Sequence, residues 1–299
     1  MEVLLYMSTQ KTNACLFLAA LIWGLAFVAQ QMGMDYLEPF SFNGIRFLIG
    51  SVILLPVIFY SDRKRKLYLK EVPPLDKKLL LIAGLWCGIP LAFASAVQQI
   101  ALVYSPAGKV GFLTAMYILV VPILGIFFRK KITPNIWIGV LIAVAGMYLL
   151  CMSGGFTLTK GDSFAIFCAF IFALQIMAID HYSPKTDVLR LACLEFFIAS
   201  VINLFFAFLL ETPTLSGISH AILPLLYTGV LSSGVAYTLQ VVAQKYAQPT
   251  IAALLMSLES VFSVLGGWLI LHQNLSLRET FGCVLMFAAI ILAQLPEKN

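Results

Sequence analysis

Charged residues are scarce in this sequence of 299 residues. They make up 11% of the chain, whereas hydrophobic residues make up 61%; a typical soluble domain contains roughly 25% charged residues. This composition excludes an ordinary soluble domain. It indicates an integral membrane protein, in which each helix that crosses the bilayer needs about 20 apolar residues.

Motifs for catalysis and metal binding are missing as well. The sequence contains no HExxH, GxSxG or Walker A pattern, which disfavours a protease, an acyltransferase or an ATP-driven pump. The six cysteines fall within or at the edges of apolar stretches and show no CxxC spacing. We expect buried thiols, no disulfide, no metal site, no cofactor and no enzymatic activity. A transporter with this sequence would draw its energy from a gradient.

Ten apolar stretches are each about long enough to cross a bilayer. Little sequence remains between them, so we expect no attached soluble domain. The sequence predicts an all-α membrane protein with ten transmembrane helices. The predicted spans cover residues 14–34, 40–60, 79–103, 107–128, 136–151, 163–179, 189–210, 218–241, 249–271 and 281–295.

Lysines and arginines cluster in alternate loops between these spans. If the N-terminus is cytoplasmic, most of them fall on the cytoplasmic side, including Lys11, Arg65 and Arg190, whereas only Lys160 and Arg278 fall on the other. Cytoplasmic loops retain basic residues. The asymmetry therefore predicts an even number of spans, both termini in the cytoplasm and a location in the cytoplasmic (inner) cell membrane.

The second half of the chain repeats features of the first. GFLTAMYILVVPILG (111–125) aligns with ALLMSLESVFSVLGG (253–267) at an offset of 142, which places Tyr117 opposite Glu259. LAALIWGLAF (18–27) likewise resembles FCAFIFALQI (167–176), with Trp23 opposite Phe172. Five spans per repeat force the two halves to insert with opposite orientations. Such inverted repeats are typical of secondary transporters that bind substrate near the middle of the membrane.

Several segments together resemble a known family. LIWGLAFVAQ followed by EPF, then GIRFLIG, YSPAGKVGFLTAMYILVVPILG and QPTIAALLMSLESVFSVLGGWLIL are similar, in this order, to the two EamA repeats of the drug/metabolite transporter superfamily. The resemblance implies two inverted five-helix EamA repeats, over residues 12–152 and 162–296. It also implies export of small organic metabolites such as amino acids, or of drugs, by proton exchange or facilitated diffusion.

Glu259 is the most informative single residue. It lies ten residues into the ninth predicted span, where an ionisable group costs at least about 2.5 kcal/mol unless it is paired or hydrated. We therefore expect it to face the interior of the bundle. It is either a coupling residue for protons or a structural hydrogen-bonding group, and the family resemblance favours the structural role.

The third and eighth spans contain helix-disturbing residues in corresponding positions. At an offset of 144, Gly88 pairs with Ser232 and Pro90 with Gly234. Interrupted helices in equivalent positions of two repeats indicate a transport site. Close helix packing through small residues is the alternative.

Aromatic, amide and basic side chains at mid-span complete the expected site. Lys109 shares a helix face with Tyr117 and could receive a carboxylate or phosphate, whereas Arg46 resembles a structural arginine of the family. We expect Glu195 to be structural and to pair with Arg190. The predicted substrate-binding residues are Trp23, Trp86, Gln98, Lys109, Tyr117, Phe172, Gln175, Ser233 and Tyr237, with Glu259 for coupling.

The sequence thus predicts a secondary active or facilitative transporter that works by alternating access. Export of amino acids or related metabolites or drugs is the favoured activity. The alternatives are an importer of a quaternary amine or other organic cation, and a non-transporting membrane scaffold or lipid scramblase. The expected partners are a small-molecule substrate, the lipid bilayer and protons, and no nucleic acid.

Overall fold

The computed structural model describes residues 7–68, 75–129, 132–151, 159–270, 276–293 and 295. All the regular structure in these residues is helical, as expected from the composition. The helices are α1 Thr9–Gly33, α2 Pro39–Tyr68, α3 Lys77–Tyr104, α4 Ala107–Thr114, α5 Tyr117–Phe127, α6 Pro134–Cys151, α7 Lys160–Tyr182, α8 Val188–Leu210, α9 Leu215–His220, α10 Ile222–Leu226, a π-helical segment Tyr227–Tyr237, α11 Thr238–Gln244, α12 Pro249–Met256, α13 Glu259–Ile270 and α14 Leu277–Ala293.

Eight helical stretches of the described residues are long and apolar enough to cross a membrane. They comprise α1, α2, α3, α7 and α8, together with the combined stretches Ala107–Phe127, Ile222–Gln244 and Pro249–Gly266. The apolar part of α6, Pro134–Leu149, is shorter, and α14 has 17 residues. The expectation of ten crossings therefore stays a prediction for α6 and α14.

Polar caps define where several of these apolar helices begin. Ser8, Asp76 and Asp187 each accept a hydrogen bond from a backbone N–H in the first turn of α1, α3 and α8, respectively. Thr159 and Asp162 form a complete capping box at the start of α7. Such caps stabilise a helix by about 1 kcal/mol each and fix the register at which each apolar stretch enters the bundle.

The third predicted span is not interrupted, contrary to the sequence-based expectation. Helix α3 continues through Gly84, Gly88 and Pro90. A Cβ atom on Gly88 would lie 2.9 Å from the carbonyl oxygen of Glu195, and one on Gly84 would lie 2.5 Å from a methyl group of Leu194. The glycines of α3 therefore allow close packing against α8, which is the alternative that the sequence left open.

The eighth predicted span does depart from the α-helix, because Gly229, Ser232 and Gly234 lie in the π-helical segment. Breaks also occur in the fourth and ninth predicted spans, at equivalent positions. Residues 115–116 separate α4 from α5, and residues 257–258 separate α12 from α13. The two breaks are related by the offset of 142 that aligns Tyr117 with Glu259. At the second break, the hydroxyl of Ser257 donates to the carbonyl of Leu254, and that of Ser260 to the carbonyl of Ser257. Such hydrogen bonds back to the preceding turn bend helices.

Helices α2 and α8 pack antiparallel to each other. At one end of the pair, Glu211 accepts hydrogen bonds from the backbone N–H groups of Phe40, at 2.8 Å, and Ser41, at 2.7 Å. At the other end, Arg190 donates to both carboxylate oxygens of Asp62, at 2.7 and 2.6 Å. We refer to these as the Glu211 end and the Arg190 end of the bundle.

The Arg190 end also holds the N-cap of α8, Asp187, which pairs with Arg65 of α2 and with Arg190. Burial raises the pKa of the Asp187 carboxyl, but the backbone N–H of Arg190 and the guanidinium of Arg65 outweigh burial, so that its pKa lies below its ordinary value. This pKa shift makes the Asp187 pairing dependent on pH.

Reciprocal hydrogen bonds join the middle of α2 to the middle of α8. The hydroxyl of Ser51 donates to the carbonyl of Cys193, at 3.2 Å, and the hydroxyl of Ser200 donates to the carbonyl of Gly44, at 2.8 Å. Residues 51 and 200, and residues 44 and 193, are each related by an offset of 149. The two contacts are therefore equivalent, as expected for two halves related by a local two-fold axis.

Candidate functional site

A cavity lies between the two halves of the bundle. Its volume is about 40 Å³, which is room for roughly three water molecules. The lining side chains come from α1, α2, α3, α4, α5 and α7, the π-helical segment, α11, α12 and α13. They are Trp23, Phe27, Gln30, Arg46, Gln98, Thr114, Tyr117, Phe172, Gln175, Ile176, Ser232, Tyr237, Gln240, Met256 and Glu259.

Most of the cavity is lined by residues in equivalent positions of the two halves. Because of this equivalence, the cavity lies at the approximate two-fold axis that relates the halves, where side chains of both halves can contact one ligand. The lining pairs are Trp23 with Phe172 and Phe27 with Ile176 at an offset of 149, and Gln98 with Gln240, Thr114 with Met256 and Tyr117 with Glu259 at an offset of 142.

A hydrogen bond between Tyr117 and Glu259 links the two halves across the cavity. The Tyr117 hydroxyl donates to Oε1 of Glu259 at 3.1 Å. These are the first residues of α5 and α13, so each stands directly after a helix break. Both are buried, with 4% and 5% of their surface exposed. Glu259 thus faces the interior, as its position in the ninth span requires.

The π-helical segment presents its backbone to the cavity. The indole Nε1 of Trp23 donates to the carbonyl oxygen of Ser232 at 3.3 Å. The Trp23 ring packs against the Tyr237 ring with a centroid separation of 4.7 Å and an interplanar angle of 61°. Because its N–H group is occupied, Trp23 offers its ring rather than a hydrogen bond to a ligand. π-Helical turns are frequent at functional sites.

The amide side chains of the cavity are only partly satisfied. Gln98 donates to the hydroxyl of Thr114 at 3.3 Å, and Gln240 donates to Oε1 of Gln175 at a long 3.5 Å. Nε2 of Gln175 and Oε1 of Gln240 are buried and have no hydrogen-bond partner among the described residues. Buried polar groups are usually paired, so these atoms indicate where a ligand would be recognised.

Arg46 is the basic residue among the described residues that line the cavity, and it is 1% exposed. Its Nη1 donates to Oε1 of Gln30 at 3.0 Å, and the guanidinium carbon lies 4.7 Å from the centroid of the Phe47 ring. Its Nε and Nη2 atoms have no hydrogen-bond partner within the part of the chain that the structure describes. The resemblance to the family favoured a structural role for Arg46, and the structure places its side chain in the lining of the cavity.

Seven of the predicted site residues line the cavity, and three lie elsewhere. Trp86 is 63% exposed on the surface of α3. Ser233 is buried next to the lining residue Ser232, where it packs against Gly50 of α2. Lys109 points to Asp162. The seven are Trp23, Gln98, Tyr117, Phe172, Gln175, Tyr237 and Glu259.

Lys109 forms an ion pair that ties α4 to α7. Its Nζ lies 2.6 Å from Oδ2 of Asp162, which is fully buried. Asp162 also accepts hydrogen bonds from the backbone N–H of Thr159, at 2.6 Å, and the hydroxyl of Ser105, at 3.1 Å. The ammonium group expected to receive a substrate anion is therefore neutralised by an acid of the protein.

The expected pair between Glu195 and Arg190 does not form. Arg190 is bound to Asp62 and Asp187 at the end of the bundle. Glu195 is fully buried, and neither carboxylate oxygen has a hydrogen-bond partner among the described residues. Although Glu195 and Arg190 lie on the same helix, the guanidinium of Arg190 binds Asp62 and Asp187, which are closer to the end of the bundle.

A model of the EamA-like transporter family matches residues 10–152 and again residues 159–295. The chain belongs to the EamA-like transporter family. Each match covers one half of the chain, so this EamA-like transporter contains two EamA repeats. It is a multi-pass membrane protein, and the family activity implies a small-molecule substrate carried across a bilayer.

Relatives extend over almost the whole of this EamA-like transporter. An uncharacterized transporter of Archaeoglobus fulgidus is 31% identical over 281 residues, which cover 94% of this chain and 84% of that protein. The uncharacterized transporter YoaV of Bacillus subtilis is 22% identical over 280 residues, with 91% and 92% covered. A protein of known crystal structure, 16% identical, superposes with a TM-score of 0.79 over 96% of this chain and 97% of that chain. At this identity the superposition shows the fold alone.

Proposed function

We propose that this EamA-like transporter exports a small organic metabolite, an amino acid or a related compound or drug, by alternating access. The observation that carries the proposal is the buried cavity between the repeats, lined by equivalent residues of both. A cavity on the two-fold relation can open to either side by equivalent movements, as alternating access requires. Transport is secondary active or facilitative.

The cavity volume supports a change of conformation during transport. A volume of about 40 Å³ is far below the roughly 300–1,000 Å³ of typical ligand pockets, so we expect the repeats to separate when a metabolite binds. The paired breaks before Tyr117 and Glu259 are suitable hinges, because an interrupted helix lacks part of its backbone hydrogen bonding. Separation at these breaks would lengthen the hydrogen bond between Tyr117 and Glu259.

For topology, we propose ten transmembrane helices in two inverted repeats, over residues 12–152 and 162–296. Both termini lie in the cytoplasm, and the protein resides in the cytoplasmic (inner) cell membrane. The antiparallel packing of α2 against α8 supports inversion. Labelling of single cysteines at the Glu211 end and the Arg190 end in intact cells tests the orientation. We expect a membrane-impermeant reagent to label the Glu211 end only. Labelling of the Arg190 end would show that the orientation is the reverse of the one proposed.

The cation importer remains the second candidate. Glu259 together with the rings of Trp23, Phe172 and Tyr237 could surround an organic cation. Arg46 in the same cavity opposes this reading, because a buried like charge repels a cation. We therefore favour a substrate that carries an anionic group.

Flux into and out of proteoliposomes tests the proposal. Labelled L-leucine, L-phenylalanine and choline are each compared over a range of concentrations. We expect saturable flux of an amino acid. Saturable, voltage-sensitive uptake of choline would favour the cation importer, and no saturable flux of any solute would favour a scaffold or scramblase.

Glu259 is proposed as the coupling residue, and its replacement tests that role. The substitution Glu259→Gln keeps the size of the side chain but removes its ionisable group, so the dependence of transport on pH should change. Tyr117→Phe removes the donated hydrogen bond but keeps the ionisable group, so transport by this variant should still depend on pH, with the profile shifted rather than abolished. Asp35→Asn, a change at an exposed acid outside the cavity, is the control. Full activity with an unchanged pH profile in Glu259→Gln would remove Glu259 from the mechanism.

A further inference from the structure

Arg46 has one edge of its guanidinium unused. Its Nη1 is held by Gln30, whose own Nε2 donates to the carbonyl of Ala26 at 3.3 Å. The Phe47 ring covers the guanidinium. These contacts fix the orientation of the planar group and leave Nε and Nη2 without partners among the described residues. Nε and Nη2 are adjacent donors on the same edge of a guanidinium.

Two adjacent N–H donors on one edge match the two oxygens of a carboxylate. Such bidentate pairs are stronger and more directional than a single hydrogen bond, and a lysine ammonium cannot form them. A charged group that is 1% exposed and retains unpaired donors is costly. The side chain is therefore preorganised for an anion rather than for packing.

The acid of the cavity is not used to neutralise Arg46. Glu259 accepts from Tyr117, and no ion pair joins it to Arg46 in the described part of the chain. The cavity thus presents a cation and an acid as separate groups on its wall. A ligand with an anionic and a cationic end complements both.

We propose that the Nε–Nη2 edge of Arg46 binds the carboxylate of the transported substrate, and that Glu259 receives its ammonium group. The substrate class is then a zwitterionic amino acid. This inference rests on the proposed function, which it makes more specific by assigning the anion-binding residue. Lys109 does not take this role because Asp162 occupies its ammonium.

Ligand-induced thermal stabilisation of the purified full-length protein tests the assignment. The probes are acetate, which is a carboxylate alone, L-leucine, its decarboxylated amine 3-methylbutylamine, and its deaminated acid 4-methylpentanoate. Chloride at equal ionic strength is the reference. We expect acetate, leucine and 4-methylpentanoate to raise the melting temperature of the wild type more than chloride does.

Substitutions of Arg46 should weaken the binding of probes that carry a carboxylate and leave the binding of the amine unchanged. In Arg46→Gln, affinity for leucine and 4-methylpentanoate should fall at least tenfold, as expected for the loss of a charge-assisted pair, whereas binding of 3-methylbutylamine should not weaken. Glu259→Gln should lower the affinity for leucine but not the affinity for 4-methylpentanoate, which lacks the ammonium group. Arg63→Gln is the matched control, because Arg63 is an exposed arginine of the same helix that also lies over a phenylalanine ring.

The proposal is overturned if carboxylates do not stabilise the wild type more than chloride, or if Arg46→Gln binds leucine with unchanged affinity. Should Arg46→Gln fail to fold, Arg46→Lys keeps the positive charge but removes the bidentate edge, and unchanged leucine affinity in that variant is equally contrary to the proposal. Unchanged leucine flux and KM in Arg46→Gln would refute the role of Arg46 but leave the transport function. Carboxylate binding without flux in the wild type would refute transport but leave the binding site.

Discussion

The contact between α1 and α13 depends on the absence of a side chain at Gly24. A Cβ atom there would lie 2.5 Å from Cβ of Phe262, 2.6 Å from the carbonyl oxygen of Glu259 and 2.8 Å from the backbone N of Ser263. The last two are backbone atoms and cannot rotate away. The Cβ atom of Phe262 is equally fixed by the backbone, so to restore an ordinary contact of 3.4 Å from 2.5 Å Gly24→Ala must separate the two helices by about 0.9 Å.

Overpacking of this kind costs about 1–3 kcal/mol, and it acts on the carbonyl of the residue that we propose for coupling. We expect the melting temperature of Gly24→Ala, measured by intrinsic fluorescence in detergent, to fall by several degrees. Flux in proteoliposomes should fall with it. Gly108→Ala is the matched control, because a Cβ atom at Gly108 would meet nothing within 4 Å.

The two substitutions should have opposite signs. An alanine in a helix is favoured over glycine by about 0.5–1 kcal/mol where space is available, so Gly108→Ala should preserve or raise the melting temperature. If Gly24→Ala is as stable as Gly108→Ala, the backbones of α1 and α13 are not in close contact at Gly24.

Two further predictions concern the ends of the α2–α8 pair. Glu211→Gln replaces a carboxylate that accepts from two backbone N–H groups at the start of α2, and should lower stability by about 1–2 kcal/mol in thermal unfolding; an unchanged melting temperature would show that this cap is dispensable. Since Asp187 has a lowered pKa in the folded protein, its contribution is complete above the ordinary value of about 3.9 and declines as the pH falls through the lower folded value. Asp187→Asn should therefore flatten the fall in melting temperature below about pH 4, and a variant with the wild-type profile would contradict that assignment.

Much of the fold is visible in the sequence because bilayer thickness imposes a length on each apolar stretch. The positions of the helix breaks are not. Gly88 and Pro90 suggested an interruption in α3, but α3 is continuous and packs closely against α8 at Gly88. The equivalent Ser232 and Gly234 do lie in a non-α segment, the π-helical turns of the eighth span. The breaks before Tyr117 and Glu259 share no residue type that would predict them. The second lies at Ser257 and Ser260, whose hydroxyls bond to the preceding turn, whereas the first lies at Ala115 and Met116.

The site was predictable where two signals coincided. Tyr117 and Glu259 are polar, deep in their spans and equivalent in the two repeats, and they meet in the cavity. Trp86 was predicted only because it is aromatic and lies in the middle of a span, and its side chain is on the surface. Gln240 could have been found from Gln98 by the offset of 142. The role of Arg46 required the structure, because only the unpaired edge of its guanidinium distinguishes recognition from structure.

The charged groups of the cavity lie at positions where the two repeats carry different residues. The offset of 149 that relates the reciprocal contacts of α2 and α8 also relates Arg46 to Glu195, and that of 142 relates Tyr117 to Glu259. At both pairs of positions the acid belongs to the second repeat, and the guanidinium or phenol to the first. A symmetric pair of repeats would present like groups to a substrate and could not distinguish its two ends. Because Arg46 lines the cavity and Glu195 is buried outside its lining, the described residues of the lining include one basic and one acidic side chain, which is the balance that the proposed zwitterionic substrate requires.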